Sequence, residues 1–513
     1  MLRVAGFTAA GLLALLTLGT LVVVALHAGG TARLIVSDWA AIRFTLTQAV
    51  VSAVLSVGIA IPMARALSRR QFVGRGLLIT LLGAPFILPV IVAVLGLLAV
   101  FGRTGILNQF LGFWGAAPIS IYGFSGVVLA HVFFNLPLAT RLILQGWGRV
   151  PAERFRLAAQ LGMGSSAIFR HLEWPMLRTV VPGILVTVFL LCLTSFAVAL
   201  TLGGGPKATT VELAIYQALR FDFDLPKAAL LAMAQFGLCA IAAFVAWSVA
   251  RPEVRDIALD RPVDRWDSAA LSARLGDFLV LSLGAAFLIL PLAMISLNGL
   301  PHLLDLPQSV FSAAIRSVIV ALSAAGLTVF LGLPLAFTII RSRRVGGLIE
   351  ASAYLALAAS PMVMGTGLFL LLFAWINPAE IALPLTALVN ATLSLPFCLR
   401  AILPAIRTVE GRYGRLAQSM GVTGFGYFRL ILWPNIRPAV GFSAGLTAAL
   451  SMGDLGVVAL FADPDQATLP LVLYRLMSAY KIGAASGAGL LLLGLSLGLF
   501  WIFDRGGRLN AAT

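Results

Sequence analysis

The segment LGGGPKATT, Leu202 to Thr210, collects glycines, a lysine and two threonines, the residue types that wrap the phosphates of a nucleotide. Its spacing is not G-x-x-x-x-G-K-[ST], so it does not form that cradle. The histidines, His27, His131, His171 and His302, are too dispersed for a metal site or a triad. Cys192, Cys239 and Cys398 each sit inside an apolar run and read as small core residues without a disulfide framework. Polar chemistry inside the apolar runs is sparse: Asp454 in ALSMGDLGVVALF, Asn135 shortly before Pro137, Asn390 before Pro396, and Ser195 at the start of SFAVALTLGGG. An ionisable group in such a run is a candidate for a substrate or ion path. The structural alternative for Asp454 is a carboxylate satisfied by nearby backbone or by Ser451.

Long apolar runs must position these residues. Of 513 residues, 60% are hydrophobic and 11% charged, and the mean hydropathy is +1.01; a water-soluble globule of this size needs more polar surface. The runs lie at roughly 5–28, 44–66, 77–100, 121–145, 180–202, 228–250, 276–298, 314–340, 351–376, 381–405, 437–461 and 484–503, where about 20 residues suffice for a helix to cross a bilayer. They are continuous rather than alternating, which excludes a transmembrane β-barrel. The expectation is an all-α polytopic membrane protein with about twelve transmembrane helices. The first run is longer than the roughly 7–15 apolar residues of a secretion signal, so it reads as a retained span.

A formal charge of +16 raises nucleic acid as a partner in a soluble chain. Here the charge follows orientation. With a cytoplasmic N-terminus, all but nine of the 36 basic residues face inward, and Lys207, Lys227 and Lys481 are among the nine. That bias puts both termini in the cytoplasm of a multi-pass protein, set in the lipid of a bacterial inner membrane. The arginines are scattered over five loops and both tails without interleaved aromatics, so nucleic acid is not an expected partner.

A shift of 259 residues lays the chain on itself. It pairs Pro137 with Pro396, Arg141 with Arg400, Arg156 with Arg415, Leu157 with Leu416, Ala158 with Ala417 and Gly162 with Gly421. It continues through Phe169/Phe428, Arg170/Arg429, Trp174/Trp433 and Pro175/Pro434; after a one-residue slip, Thr210 meets Thr468 and Tyr216 meets Tyr474. The expected organisation is two tandem six-span repeats, 1–250 and 275–513, joined by the polar linker 251–274. An even number of spans gives both copies the same orientation about an axis along the membrane normal, and a fused pseudo-dimer encloses a path between its halves. Pro85, Pro89, Pro137, Pro361 and Pro396 mark expected kinks.

Each repeat is interrupted by one polar loop, about 151–175 and about 410–434. RLAAQLGMGSSAIFRHLEWP, Arg156 to Pro175, reads as a helix begun near Pro151, broken by Gly162 and followed by a helix capped by Ser165 or Ser166. Small Ala158 and Ala159 allow another surface to come close. One such loop alone reads as an interfacial amphipathic helix; two on one side invite a symmetric partner.

With these residues in view, the loops resemble the EAA loop of ABC importer permeases: a glycine, then at fixed distance Leu172-Glu173-Trp174-Pro175, and again Ile431-Leu432-Trp433-Pro434. The resemblance implies two coupling helices docked on a cytoplasmic ABC ATPase dimer, with Arg156, Ala158, Ala159, Gly162, Arg415, Ala417 and Gly421 at the coupling surface and Trp174, Pro175, Trp433 and Pro434 as loop tails. It departs at one point. Arg156-Leu157-Ala158 and Arg415-Leu416-Ala417 stand where the family has Glu-Ala-Ala, so the contact of that glutamate is missing.

The fused twelve-span plan resembles the type I importer branch for iron(III), polyamine-like compounds and thiamine, and Ser195 to Phe236 is most similar to permeases of thiamine and thiamine pyrophosphate importers. That resemblance implies a periplasmic thiamine-binding protein as donor, no covalent catalysis, and no cofactor in this chain; ATP and Mg²⁺ belong to the ATPase subunits. An iron(III)- or polyamine-type permease of the same fold is the alternative, with an ion-coupled secondary carrier behind it, since such carriers need ionisable groups within their spans. A cationic cargo suits Asp454 with aromatic faces nearby; a phosphorylated one suits Lys207 or Arg220. The loop YQALRFDFDLPK, Tyr216 to Lys227, with Asp222 and Asp224 among phenylalanines, is a candidate to receive the binding protein or gate the path.

Overall fold

The computed structural model describes residues 2–28, 33–83, 87–249, 265, 270–342, 346–347, 349–350, 353, 359–461 and 466–508. Most of the linker 251–274, much of the N-terminal part of the run 351–376, and Pro85 lie outside the described residues. Among those described, every regular element is helical. The long helices are α1 (Gly6–Ala28), α2 (Val36–Arg69), α3 (Val90–Phe101), α4 (Phe124–Gly148), α5 (Ser165–Leu193), α6 (Leu225–Val249), α7 (Leu271–Gly299), α8 (Gln308–Arg341), α9 (Pro361–Phe373), α10 (Ala382–Ser419), α11 (Trp433–Met452) and α12 (Ile482–Arg508).

Ten stretches among the described residues are long and apolar enough to cross a membrane. The chain is a polytopic all-α membrane protein. The two remaining runs differ for separate reasons. α11 has 20 residues, about 30 Å of helix, but Gly441, Ser443, Gly445 and Thr447 dilute its hydropathy. These small residues are buried in protein: a side chain at Gly441 would stand 2.6 Å from the Phe503 carbonyl of α12, so they let the two backbones approach, the usual basis of helix association in lipid. α9 has 13 described helical residues and starts at Pro361, behind a Ser360 cap that accepts the Val363 N–H at 3.1 Å.

The packing interleaves the two sequence halves. α1 lies on α8 and α9, and α7 lies on α2 and α3, so the first helix of each half is packed on the other half. Close approach makes this possible. A side chain at Gly6 would run into Thr338 and end 2.7 Å from the Pro334 carbonyl; on the reciprocal side, one at Gly284 would meet Met63 Sδ at 2.9 Å. At the arginine-rich end, Arg69 and Arg70 at the close of α2 both donate to Asp277 near the start of α7, their Nε atoms 2.9 and 2.6 Å from Oδ2. The sequence division at 251–274 is therefore crossed by contacts at both ends of the chain.

Gly6→Val should force α1 off α8. Overpacking costs about 1–3 kcal/mol, and the expected result is a lower melting temperature and lower monodisperse yield in detergent, read by fluorescence-detected size exclusion after heating. Gly11→Val, which has open space around it, is the control and should behave as wild type.

Candidate functional site

Both polar loops fold to one plan. In the first, α4 ends at Gly148 and a separate helix runs from Ala152 to Gln160. In the second, Glu410 occupies the place of Pro151 and α10 continues unbroken to Ser419; with no proline to remove a donor and crowd the preceding turn, the helix persists. Each then turns at a glycine in the left-handed region, Gly162 at φ 63° and Gly421 at φ 69°, a conformation open to a residue without Cβ. The N–H groups of Gly162 and Met163 donate to Ala159 and Ala158, and those of Gly421 and Val422 to Gln418 and Ala417, the paired bonds that close a helix end. A π-type turn follows, Phe169–Glu173 and Phe428–Leu432. It stands directly before Trp174-Pro175 and Trp433-Pro434, where the wider turn accommodates a proline inside a continuing helix. Trp174 lies 6.2 Å from Phe169 and Trp433 5.9 Å from Phe428, so each tail packs on its own loop.

Arg156, Ala159, Gly162, Arg415 and Gly421 are exposed. Ala158 and Ala417 are not: they are 3% and 2% exposed, and Ala158 packs with Phe155 and Ile168 beneath its loop. They back the surface rather than form it, because the helical phase that exposes Arg156 and Leu157 turns the next residue inward. The loops instead present a pair that the sequence reading passed over. Leu157 and Leu161 are 57% and 68% exposed, and their counterparts Leu416 and Met420 are 56% and 70% exposed. The signal was an apolar i, i+4 pair beside the glycine, on a face otherwise made of arginine and glutamine.

Beneath the loops the chemistry diverges. Glu173 is wholly buried and accepts from Arg65 Nε at 2.7 Å and from Arg265 Nη2 at 2.8 Å. Arg265 lies over the Phe155 ring at 4.5 Å and Arg65 over Phe169 at 5.2 Å. At the matching position of the second loop stands Leu432, also wholly buried, and Phe337 of α8 packs 6.4 Å from Phe428. One loop is held by buried ion pairs that include an arginine of the linker; the other is held by apolar contact.

Nearer the middle, α5 stops at Leu193 and a short helix resumes at Ala197–Leu202; α11 stops at Met452 and resumes at Gly456–Phe461. Each break is followed by a ten-residue helix, Val211–Arg220 and Leu469–Ser478, tied at its first residue to a long helix. Val211 N–H donates to Thr45 Oγ1 at 2.9 Å, and Leu469 N–H to Ser317 Oγ at 2.8 Å. Carbonyls freed at the first break are served by amides: Gln48 Nε2 donates to Cys192 O and Gln235 Nε2 to Leu193 O, both at 2.9 Å.

Between the breaks lies a cavity of about 370 Å³, lined from both sequence halves. The structure gathers all four polar residues singled out by sequence, Asn135, Ser195, Asn390 and Asp454, on its wall, and adds His131, Ser394 and Ser451. The offset of 259 matches Ser195 with Asp454, Asn135 with Ser394 and His131 with Asn390; the two asparagines are not counterparts. Asp454 Oδ1 accepts the N–H groups of Gly456 at 3.1 Å and Val457 at 3.5 Å. Asn390 Nδ2 donates to Ser451 Oγ at 3.0 Å, and Asn135 Nδ2 to the His131 carbonyl at 2.8 Å. In the loop Tyr216 to Lys227, Asp224 Oδ1 accepts the Lys227 N–H at 3.0 Å and so caps α6, while Phe223, at φ 51°, reaches Phe373 of α9 at 5.5 Å. Asp222 is exposed.

A helical membrane protein with a polar cavity shared by two related helix sets, and two matched loops at one end, is a transport permease of the ABC importer class. Comparison with characterised proteins narrows this. The chain is 40% identical over 515 residues to the thiamine transport system permease protein ThiP of Brucella abortus (strain 2308), covering 98% of this chain and 95% of that protein. It is 38% identical over 484 residues to ThiP of Escherichia coli (strain K12), 91% of this chain and 89% of the other, and 35% identical over 468 residues to ThiP of Haemophilus influenzae, 88% and 86%. No protein-family model matches the sequence. The chain belongs to the family of thiamine transport system permease proteins.

Glu173→Ala removes a buried carboxylate shared by Arg65 and by Arg265, whose side chain is 6% exposed. Glu173→Ala is expected to destabilise the protein by about 3–5 kcal/mol, the usual effect of breaking a buried ion pair, measured as a shift in detergent unfolding. Arg407→Ala is expected to do little, because its pairing with Glu350 spans 3.6 Å with the arginine 57% exposed.

Proposed function

We propose that the chain is the membrane permease of an ATP-driven importer that moves thiamine and its phosphates from the periplasm to the cytoplasm by alternating access. The names of its relatives support the cargo. The arginine bias supports a bacterial inner membrane protein with both termini, the linker 251–274 and both loops in the cytoplasm. The offset of 259 supports a division into two repeats, 1–250 and 275–513.

The observation that carries the mechanism is the pair of loops. Each ends a helix in a left-handed glycine and holds an exposed apolar i, i+4 pair beside it. Leu157 with Leu161, and Leu416 with Met420, are knobs of the size a groove on an ATPase subunit takes, and two of them suit a symmetric ATPase dimer. ATP and Mg²⁺ are bound there, and this chain carries out no covalent step. ATPase closure moves the loops, and rigid α5 and α11, continuous with them, carry the motion to the breaks at the cavity. A periplasmic thiamine-binding protein delivers cargo at the opposite end, where Phe221, Asp222 and Phe223 are exposed.

Gly162→Asp combined with Gly421→Asp tests this, since aspartate tolerates the left-handed backbone better than most residues while placing charge at the docking face. Uptake of thiamine into vesicles should fall to background, with the permease still in the membrane and the ATPase no longer co-purifying. Normal uptake with the ATPase retained overturns the loop assignment. Uptake by the wild type driven by a proton gradient, without ATP or binding protein, would place the chain among ion-coupled carriers.

A further inference from the structure

We propose that the exposed stripe of α2 binds one anionic phospholipid of the leaflet opposite the polar loops, its phosphate held between Arg43 and Lys207 and an acyl chain lodged between α2, α5 and α6. The inference needs only that the chain spans a membrane, so it stands apart from the choice of cargo.

Two separate hollows lie on that stripe. The first, of about 510 Å³, has Trp39, Arg43 and Thr47 of α2 and Lys207 on its wall, and no acidic side chain. Arg43 and Lys207 are exposed, and neither forms an ion pair with a described residue. The one acid of α2, Asp38, is already engaged: Oδ2 accepts the Ile35 N–H at 2.9 Å, and Oδ1 lies 3.6 Å from Lys227 Nζ. Arg65, which holds Glu173 of the first loop, is 22 residues further along the helix, about 33 Å, against roughly 30 Å for a hydrocarbon core. Arg43 therefore stands at the level of the opposite headgroups. Trp39, 59% exposed, is one turn above it and of a type enriched at that interface. Two cations without a carboxylate at this level suit a phosphate.

The second hollow, of about 340 Å³, lies between α2, α5 and α6, and every side chain on its wall is apolar. Val50 and Val54 of α2 line it, with Val186 and Phe189 of α5 and Ile241 and Val245 of α6. Arg43, Thr47, Val50 and Val54 are spaced four, three and four residues apart, which sets them on one face of the helix. Val54 is eleven residues from Arg43, about 16 Å, close to half the thickness of the core. An apolar slot at that depth, on the same face as two cations at headgroup level, matches the two ends of one phospholipid. Free phosphate fills only the upper hollow, and an apolar peptide leaves both cations unpaired.

The matching positions of the other half do not repeat this chemistry. Thr45 and Ser317 accept equivalent N–H groups, so Ile315 stands where Arg43 stands; with Thr468 matching Thr210, Asp465 stands where Lys207 stands. At the offset of 259, Gly445 answers Val186. A side chain at Gly445 would stand 2.9 Å from the Phe500 carbonyl, so α11 and α12 close the space that α5 and α6 leave open. The site belongs to one half, and the repeat does not demand it.

The test titrates the full chain in mild detergent with dioleoylphosphatidylglycerol or dioleoylphosphatidylcholine, reading bound lipid by native mass spectrometry. Wild type is expected to bind one phosphatidylglycerol saturably and to prefer it to phosphatidylcholine. Arg43→Gln with Lys207→Gln should raise the apparent Kd for phosphatidylglycerol roughly 25-fold, about fivefold for each basic group at an anionic headgroup, and abolish the preference. Arg103→Gln, at another exposed arginine, should leave both unchanged. Val50→Phe with Val54→Phe fills the slot from exposed positions and should weaken binding with both cations in place. If that pair fails to assemble, Val50→Phe alone replaces it and is expected to act in the same direction. An excess of inorganic phosphate should leave the lipid bound. Equal binding of the two lipids by wild type, wild-type affinity in the double glutamine variant, an equal loss in Arg103→Gln, unchanged binding with the slot filled, or displacement by inorganic phosphate overturns the proposal.

Discussion

The hydrocarbon core of a bilayer offers no water to a peptide group, and the middle of this molecule is arranged around that constraint. Helices meet it automatically; interrupted helices do not. α5 and α11 both break close to the cavity, and several of the loose ends have identified partners: Gln48 and Gln235 for the carbonyls of Cys192 and Leu193, Thr45 and Ser317 for the first N–H of the following helices, Asp454 for the resumption after Met452. The polar residues of the spans thus make irregular backbone tolerable, and irregular backbone is what opens a polar space between the two halves.

The two halves share geometry and divide chemistry. The glycine turns, π-type turns and Trp-Pro steps repeat in register, while the residues beneath them do not: Glu173 with two arginines in one loop answers Leu432 with two phenylalanines in the other. The same split recurs in the cavity, where serine answers aspartate and histidine answers asparagine. A fused chain can hold such differences because each copy is a separate stretch of sequence, which a true homodimer is not.

Much of this was legible in the sequence. The runs of apolar residues located the spans, and Pro, Gly, Trp and Arg in polar context made the 259-residue repeat visible where apolar matches alone would not. Asn135, Ser195, Asn390 and Asp454 stood out because a polar group in an apolar run is expensive, and all four line one cavity. The sequence misled where one property serves two purposes. Alanine's small size suits a docking surface and a tight interior equally, and only helical phase shows that Ala158 and Ala417 are buried within the chain. Partners distant in the chain had no local signal at all: Glu173 lies 108 residues from Arg65 and 92 from Arg265, and nothing in the loop names either. α11 shows how little hydropathy a span needs where its small residues are buried in protein rather than facing lipid.

The interleaving of the halves has a consequence for biosynthesis. α1 leaves the ribosome well before α8, and the groove it fills there, formed around Pro334 and Thr338, is made about 300 residues later; at roughly 5–20 residues per second the wait is on the order of 15–60 s. During that interval Gly6 and its neighbours lie in the membrane with their packing face vacant. α7 finds α2 and α3 already in place when it arrives and waits for α12 alone to cover Gly299. Until α8 arrives, a stalled or truncated chain carries that face of α1 unfilled.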